Sequence, residues 1–189
     1  GATELWLIEA CALATVSSAL GLRELHLVFK PLAMVIALAL TWGVPRALWL
    51  RLALIGSLAG DVFLMLPGLF IPGLVAFLLA HIAYLVRLRS DAPWFPSRQA
   101  LALTLGVGAL MYAVLWLGGL PAGLRVPVAA YVVVIALMAA QAMGRASVLR
   151  DRASLLVAVG AASFMLSDSL LAINRFVTPL PMAQLGVLC

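Results

Sequence analysis

Long apolar runs dominate this chain. Seven of them, near 5–21, 27–43, 47–66, 70–87, 99–117, 126–143 and 153–173, carry little charge and are cut apart by short segments holding Arg, Pro or Gly. A helix that crosses the ~30 Å hydrocarbon core of a bilayer needs ~20 mostly apolar residues. Seven runs of about that length leave no room in 189 residues for a water-soluble domain. The proportions agree: 66% of residues are apolar and 10% charged, against ~45–50% and ~25% in a soluble domain. With so few charges there is not enough polar surface to cover a soluble exterior. Disorder, a disulfide scaffold, a coiled coil and an ordinary cytosolic enzyme are excluded.

The runs predict helices rather than barrel strands. They are continuous in Leu, Ala and Val, without the alternation of apolar and polar residues that a porin strand shows. An eighth run begins near Thr178 and stops at Cys189, too short to cross, which reads as a last helix cut short. The expected fold is all-α: a polytopic transmembrane helix bundle of about eight helices, with residues 1–189 forming one transmembrane domain. Short loops make sequence neighbours antiparallel and adjacent. The first run lacks a basic start and is followed by further spans, so no cleavable signal peptide is expected.

The net charge of +5 comes from eleven Arg and one Lys scattered singly between the runs. That pattern sets topology and meets anionic headgroups; it does not point to nucleic acid. Loops after the even runs hold eight basic residues and those after the odd runs four. The bias places the even loops and both termini in the cytoplasm, as expected of an integral multi-pass protein of a bacterial inner (cytoplasmic) membrane. Cys11 and Cys189 form no framework, and neither a disulfide, a metal nor a cofactor is expected.

Polar residues inside the runs carry the functional information, because a charged Asp at mid-membrane costs ~2.5–3.5 kcal/mol or more. Of four Asp, Asp91 and Asp151 fall in loops beside Arg, where water solvates them. Asp61 and Asp168 fall inside the third and seventh runs. Each lies about five residues before the outer end of its run, ~7–8 Å below one membrane surface at ~1.5 Å per residue. Lys30 enters the second run from that same side. Two carboxylates and an amine at one depth predict a polar chamber open to the outer leaflet. The plainer reading is two independent structural Asp, each satisfied by a neighbouring Ser or backbone group.

His81 and Tyr84 lie three apart in the fourth run, on one helical face. His81 either orients a carboxylate and relays a proton or is a core His bonded to a carbonyl or to Tyr. Arg175, closing the seventh run, suits a headgroup phosphate and equally serves as topology charge. Lys30 suits a phosphate or carboxylate and equally snorkels at the interface. Tyr131 and Met138, one heptad apart, read as packing; Gln141 is a weaker pocket candidate. Small residues one and five before each intramembrane Asp (Gly60 and Gly56; Ser167 and Ser163) allow close helix approach. They also echo one another, consistent with a parallel 4+4 repeat or with coincidence among small residues. Nucleotide-binding loops, zinc motifs and a serine elbow are absent from the sequence, which leaves two carboxylates as the acid–base equipment.

The runs Lys30-Pro31-Leu32-Ala33-Met34, Ser57-Leu58-Ala59-Gly60-Asp61-Val62-Phe63-Leu64, Gly73-Leu74-Val75-Ala76-Phe77-Leu78-Leu79-Ala80-His81-Ile82-Ala83-Tyr84 and Phe164-Met165-Leu166-Ser167-Asp168-Ser169-Leu170-Leu171-Ala172 resemble the YhhN family, the lysoplasmalogenases. The likeness spans the second to seventh runs in order. It lacks the family's closing helix beyond Gln184. The resemblance implies eight helices, two essential Asp mapping onto Asp61 and Asp168, and hydrolysis of the vinyl ether bond of lysoplasmalogen. The products would be a fatty aldehyde and a glycerophospho-alcohol, and the partners a lysophospholipid substrate and membrane lipids. Closely paired carboxylates divide into one acid and one base, with a slight preference for Asp61 as the acid. Lys30, His81, Tyr84 and Arg175 are the candidate substrate-binding residues. The alternative is a proton-coupled transporter of lipids or small molecules, since intramembrane Asp and repeats are also transporter features; a lipid-binding scaffold is a third.

Overall fold

A computed structural model of the chain describes residues 35–42 and 47–177. Every regular element among these residues is helical. A short helical stretch over residues 35–40 ends in a turn at Thr41 and Trp42. Five long helices follow: α1 (Leu48–Met65), α2 (Phe70–Arg89), α3 (Arg98–Leu117), α4 (Ala122–Leu149) and α5 (Arg152–Phe176). All five contain a stretch long and apolar enough to cross a membrane. Their outward-facing residues include Leu79, Leu103, Leu110 and Leu156, each more than half exposed, as lipid contact requires. The protein is an integral, multi-pass membrane protein. The first and eighth runs of the sequence, and most of the second, lie outside the described residues.

Local sequence sets the helix ends. α1 stops at Leu66, whose extended backbone is what a following Pro67 imposes; Gly68 then takes a positive φ of 80° to turn the chain. Pro72 falls in the first turn of α2, where its missing N–H is not needed. Ser97 caps α3 by accepting from the Ala100 N–H, and Asp151 caps α5 by accepting from the Ser154 N–H. α4 ends at Arg150, which adopts the left-handed conformation with φ 53°.

The third, fourth and fifth runs agree with α1, α2 and α3 to within two residues. The sixth is longer than expected. α4 begins at Ala122, not 126, and ends at Leu149, not 143. Arg125 does not mark a boundary because its guanidinium stacks on the Trp116 ring at 4.0 Å and its Nε donates to the Leu120 carbonyl. Gly144 does not end the helix because the Pro96 ring packs against it: a Cβ there would meet Pro96 Cδ at 2.8 Å. α5 likewise continues to Phe176, three residues past the expected end.

The chain divides into two compact units at Ala83 and Tyr84, within α2. In the first, α1 packs on α2 through small residues: a Cβ on Gly56 would meet Ala80 Cβ at 3.0 Å, and one on Gly73 would meet Leu64 Cδ2 at 2.7 Å. In the second, α3, α4 and α5 pack on one another, with a core that includes Leu88, Ile135, Ala139, Ala161 and Met165.

Candidate active site

Asp61 lies in α1, four residues before Met65, and is only 5% exposed. Ser57, one turn earlier, is also buried. Between them Gly60 brings the backbone of α1 against α2, since a Cβ there would stand 2.5 Å from the Phe77 ring. The small residues that flag Asp61 in the sequence therefore have a physical use: they let a helix carrying a carboxylate approach its neighbour closely.

His81 is the most buried ionisable residue of α2, 2% exposed. Its Nδ1 lies 2.6 Å from the Phe77 carbonyl oxygen, one turn back. A carbonyl only accepts, so Nδ1 carries the proton, and in the neutral ring Nε2 is then the acceptor nitrogen. A bond to a carbonyl, as expected of a core His, is present. Tyr84 follows three residues later, half-buried, and packs against the core of the second unit.

Asp168 lies in α5, half-buried and eight residues before Phe176. The two acids are therefore not equally far from the ends of their helices, because α5 runs beyond its expected limit. The Tyr131 hydroxyl of α4 donates a hydrogen bond to Asp168 Oδ2. Tyr131 is thus more than packing. Its pairing with Met138 at heptad spacing pointed to the core, and the ring does pack there; the acceptor for its hydroxyl, 37 residues further on, left no mark on the spacing. The available clue was the phenol itself, since a hydroxyl inside a membrane span needs a partner.

Arg175 is exposed in the last turn of α5, with its guanidinium 5.9 Å from the Phe176 ring centre. It stands seven residues, two turns, beyond Asp168 and so on the same helical face, about 10 Å further along the axis. Lys30 lies outside the described residues. Gln141 is no pocket residue: its fully buried amide accepts from the Phe95 N–H at 2.8 Å and donates to the Pro93 carbonyl at 2.9 Å, which pins the connector between α2 and α3. The echo between Asp61 and Asp168 is partial. Gly56 and Gly60 both meet α2, whereas Ser167 is buried and Ser163 exposed. Among the described residues, no three His, Cys, Asp or Glu gather as a metal site would require.

In chemical terms, the first unit holds a buried carboxylic side chain and a buried imidazole on closely packed helices. The second holds a carboxylate paired with a phenol, with a cation two turns away. Both place groups able to give or take a proton among apolar helices.

Residues 25–189 match the model of the YhhN family. Over 136 residues the chain is 35% identical to the lysoplasmalogenase TMEM86B of Sus scrofa and 31% identical to the lysoplasmalogenase TMEM86B of Homo sapiens. Each match covers 72% of this chain and 55% of the relative, so the chain spans about half the length of the curated relatives it matches. No solved structure gives a significant match.

Proposed function

The chain belongs to the YhhN family, and from that membership we propose that it is a membrane-embedded hydrolase of lysoplasmalogen. It would cleave the vinyl ether bond to a fatty aldehyde and a glycerophospho-alcohol. The observation that carries the reading is the placement of two carboxylic side chains, Asp61 and Asp168, inside apolar helices of a chain similar to lysoplasmalogenases.

Vinyl ethers hydrolyse by protonation of the carbon β to oxygen, which leaves an oxocarbenium ion. In the proposed mechanism Asp61 gives that proton. Asp168, ionised, stabilises the cation and takes a proton from the water that adds to the carbon bonded to oxygen. The resulting hemiacetal collapses: Asp168 gives the proton it took from water to the glycerol oxygen as the carbon–oxygen bond breaks, and Asp61 takes the hydroxyl proton as the aldehyde forms. One water is consumed and both carboxyls recover their starting states. A hydroxyl that donates to Asp168 Oδ2 is compatible with an ionised Asp168, which supports giving the acid role to Asp61. Arg175, on the same face of α5, would hold the headgroup phosphate through charge-assisted bonds, with Lys30 as a second cation. His81 and Tyr84 would line the path of the substrate.

The test is mass spectrometry of lysolipids incubated with purified protein. Aldehyde should appear in step with a glycerophospho-compound. Asp61→Asn and Asp168→Asn should each lower the rate by about 100-fold or more, the usual contribution of acid–base catalysis. Near-normal release by both variants would sink the assignment of the two acids. Uptake of lysolipid into proteoliposomes with no covalent turnover would replace the hydrolase with a transporter.

A further inference from the structure

We propose that Tyr131 is a positioning residue of this reaction, its hydroxyl fixing the orientation of the Asp168 carboxylate. The inference rests on the reading of Asp168 as the cation-stabilising base, and adds a residue that neither the sequence pattern nor that reading contains.

Three observations carry it. The hydroxyl of Tyr131 donates directly to Asp168 Oδ2. The ring that carries the hydroxyl packs against the core formed by Ile135, Ala139, Ala161 and Met165. Ala161 and Met165 come from α5 itself, seven and three residues before Asp168, so they share its helical face. The carboxylate and the ring that addresses it are therefore seated on one contact between α4 and α5, and the donor is placed by close packing. The third observation is depth. Tyr131 is the tenth residue of α4, about 15 Å from its start. A phenol oxygen there is costly unless bonded, and for filling space alone a Phe would serve.

An aspartate turns about two side-chain torsions, the second of which aims its oxygens. A fixed donor on one oxygen restricts that torsion before substrate arrives. Pre-set orientation of this kind is worth up to about 100-fold in rate when it is lost by displacement of the order of 1 Å. The bond therefore gives the carboxylate a set direction.

The test is a double-mutant cycle with turnover, KM and melting temperature read together. Tyr131→Phe deletes one oxygen and keeps the ring. It should lower kcat by about 10- to 100-fold while KM stays within about twofold and the melting temperature is kept. In an Asp168→Asn background the same change should have no further effect, because residues acting as one unit are not additive. Full activity of Tyr131→Phe beside an inactive Asp168→Asn would overturn the positioning role and leave the hydrolase reading standing. An undiminished rate in Asp168→Asn would overturn the reading and the inference together. A loss that multiplies on top of Asp168→Asn would show a merely structural Tyr131 and overturn the inference. The bond is also read without activity. The ultraviolet resonance Raman bands of Tyr131, isolated by Tyr84→Phe and Tyr112→Phe, should shift on Asp168→Asn; unshifted bands would overturn it.

Discussion

In the first unit α1 and α2 meet where side chains are missing. Gly56 lies against Ala80, Gly60 against Phe77 and Gly73 against Leu64. In the second unit α4 uses close glycine contacts too, at Gly144, but its longest-range ties are polar. Gln141 clasps Pro93 and Phe95, and Arg145 grips Asp91. Water does not drive apolar helices together inside lipid, so association relies on close packing and on hydrogen bonds. The two units sample those two solutions. A packed seam fails when an atom is added. A polar clasp fails when a polar atom is removed.

The largest effect on stability should come from the clasp. Gln141→Leu keeps nearly the same volume but strands the Pro93 carbonyl and the Phe95 N–H, both tied to a side chain that is fully buried. Unpartnered buried groups cost about 1–3 kcal/mol each; both of these bonds are part-buried, so a total loss of about 2–3 kcal/mol is expected in denaturant unfolding in detergent. A loss below about 1 kcal/mol would mean that water or other groups replace the amide, and the contrast between seam and clasp would collapse.

The seam should respond next. Gly60→Ala adds a carbon 2.5 Å from the Phe77 ring. Phe77 is itself buried, so the ring has little room to withdraw. Overpacking of this kind costs about 1–3 kcal/mol, and because Asp61 is the next residue, aldehyde release should fall with it. Gly106→Ala is the matched control, since nothing lies within 4 Å of its added carbon. It should be neutral, or stabilising by up to about 1 kcal/mol through helix propensity. Equal losses in Gly60→Ala and Gly106→Ala would show that helix propensity, not the seam, governs both.

The sequence made some of this contrast legible. Continuous apolar runs gave α1, α2 and α3 nearly to the residue, because membrane thickness fixes helix length and charge marks the ends. The same rule misplaced both ends of α4, since Arg125 and Gly144 look like punctuation and are instead used inside the helix, one stacked on Trp116 and one under Pro96. Asp61 and Asp168 stood out because charge in a span is costly. Their surroundings did not stand out. Tyr131 and Gln141 find partners 37 and 46 or more residues away, and periodicity reports only neighbours within a turn or two. Asp91 illustrates the same gap. Beside Arg87 and Arg89 it read as a solvated partner, and its main bonds go to Arg145, 54 residues on.

That ion pair gives the smallest effect and the sharpest check, because its exposed carboxylate should depend on pH where the Gln141 amide does not. Arg145 donates from Nε and Nη2 to the two oxygens of Asp91 at 2.7 and 2.8 Å, and Arg87 adds a contact at 3.5 Å. These bonds hold the Asp91 carboxyl below its usual value of 3.8, the hydrogen bond from Arg145 being the main cause. The folded value thus lies below the unfolded one. The stabilisation is complete above pH 3.8 and is lost as pH falls through the folded value. Asp91 is more than a third exposed, so solvent screening holds the pair to about 1 kcal/mol. Asp91→Asn should therefore unfold about 1 kcal/mol more easily at pH 7 and indistinguishably from the parent once the parent carboxyl is protonated. Asp151, whose carboxyl is also lowered, by the Ser154 N–H, titrates in the same range but is common to both proteins and cancels in the difference. The deficit of Gln141→Leu should stay constant over the same pH range, since an amide does not titrate. A deficit of Asp91→Asn that likewise persisted once the parent carboxyl is protonated would assign the tie to shape rather than charge, and the connector would be held by Gln141 and the Pro96–Gly144 contact.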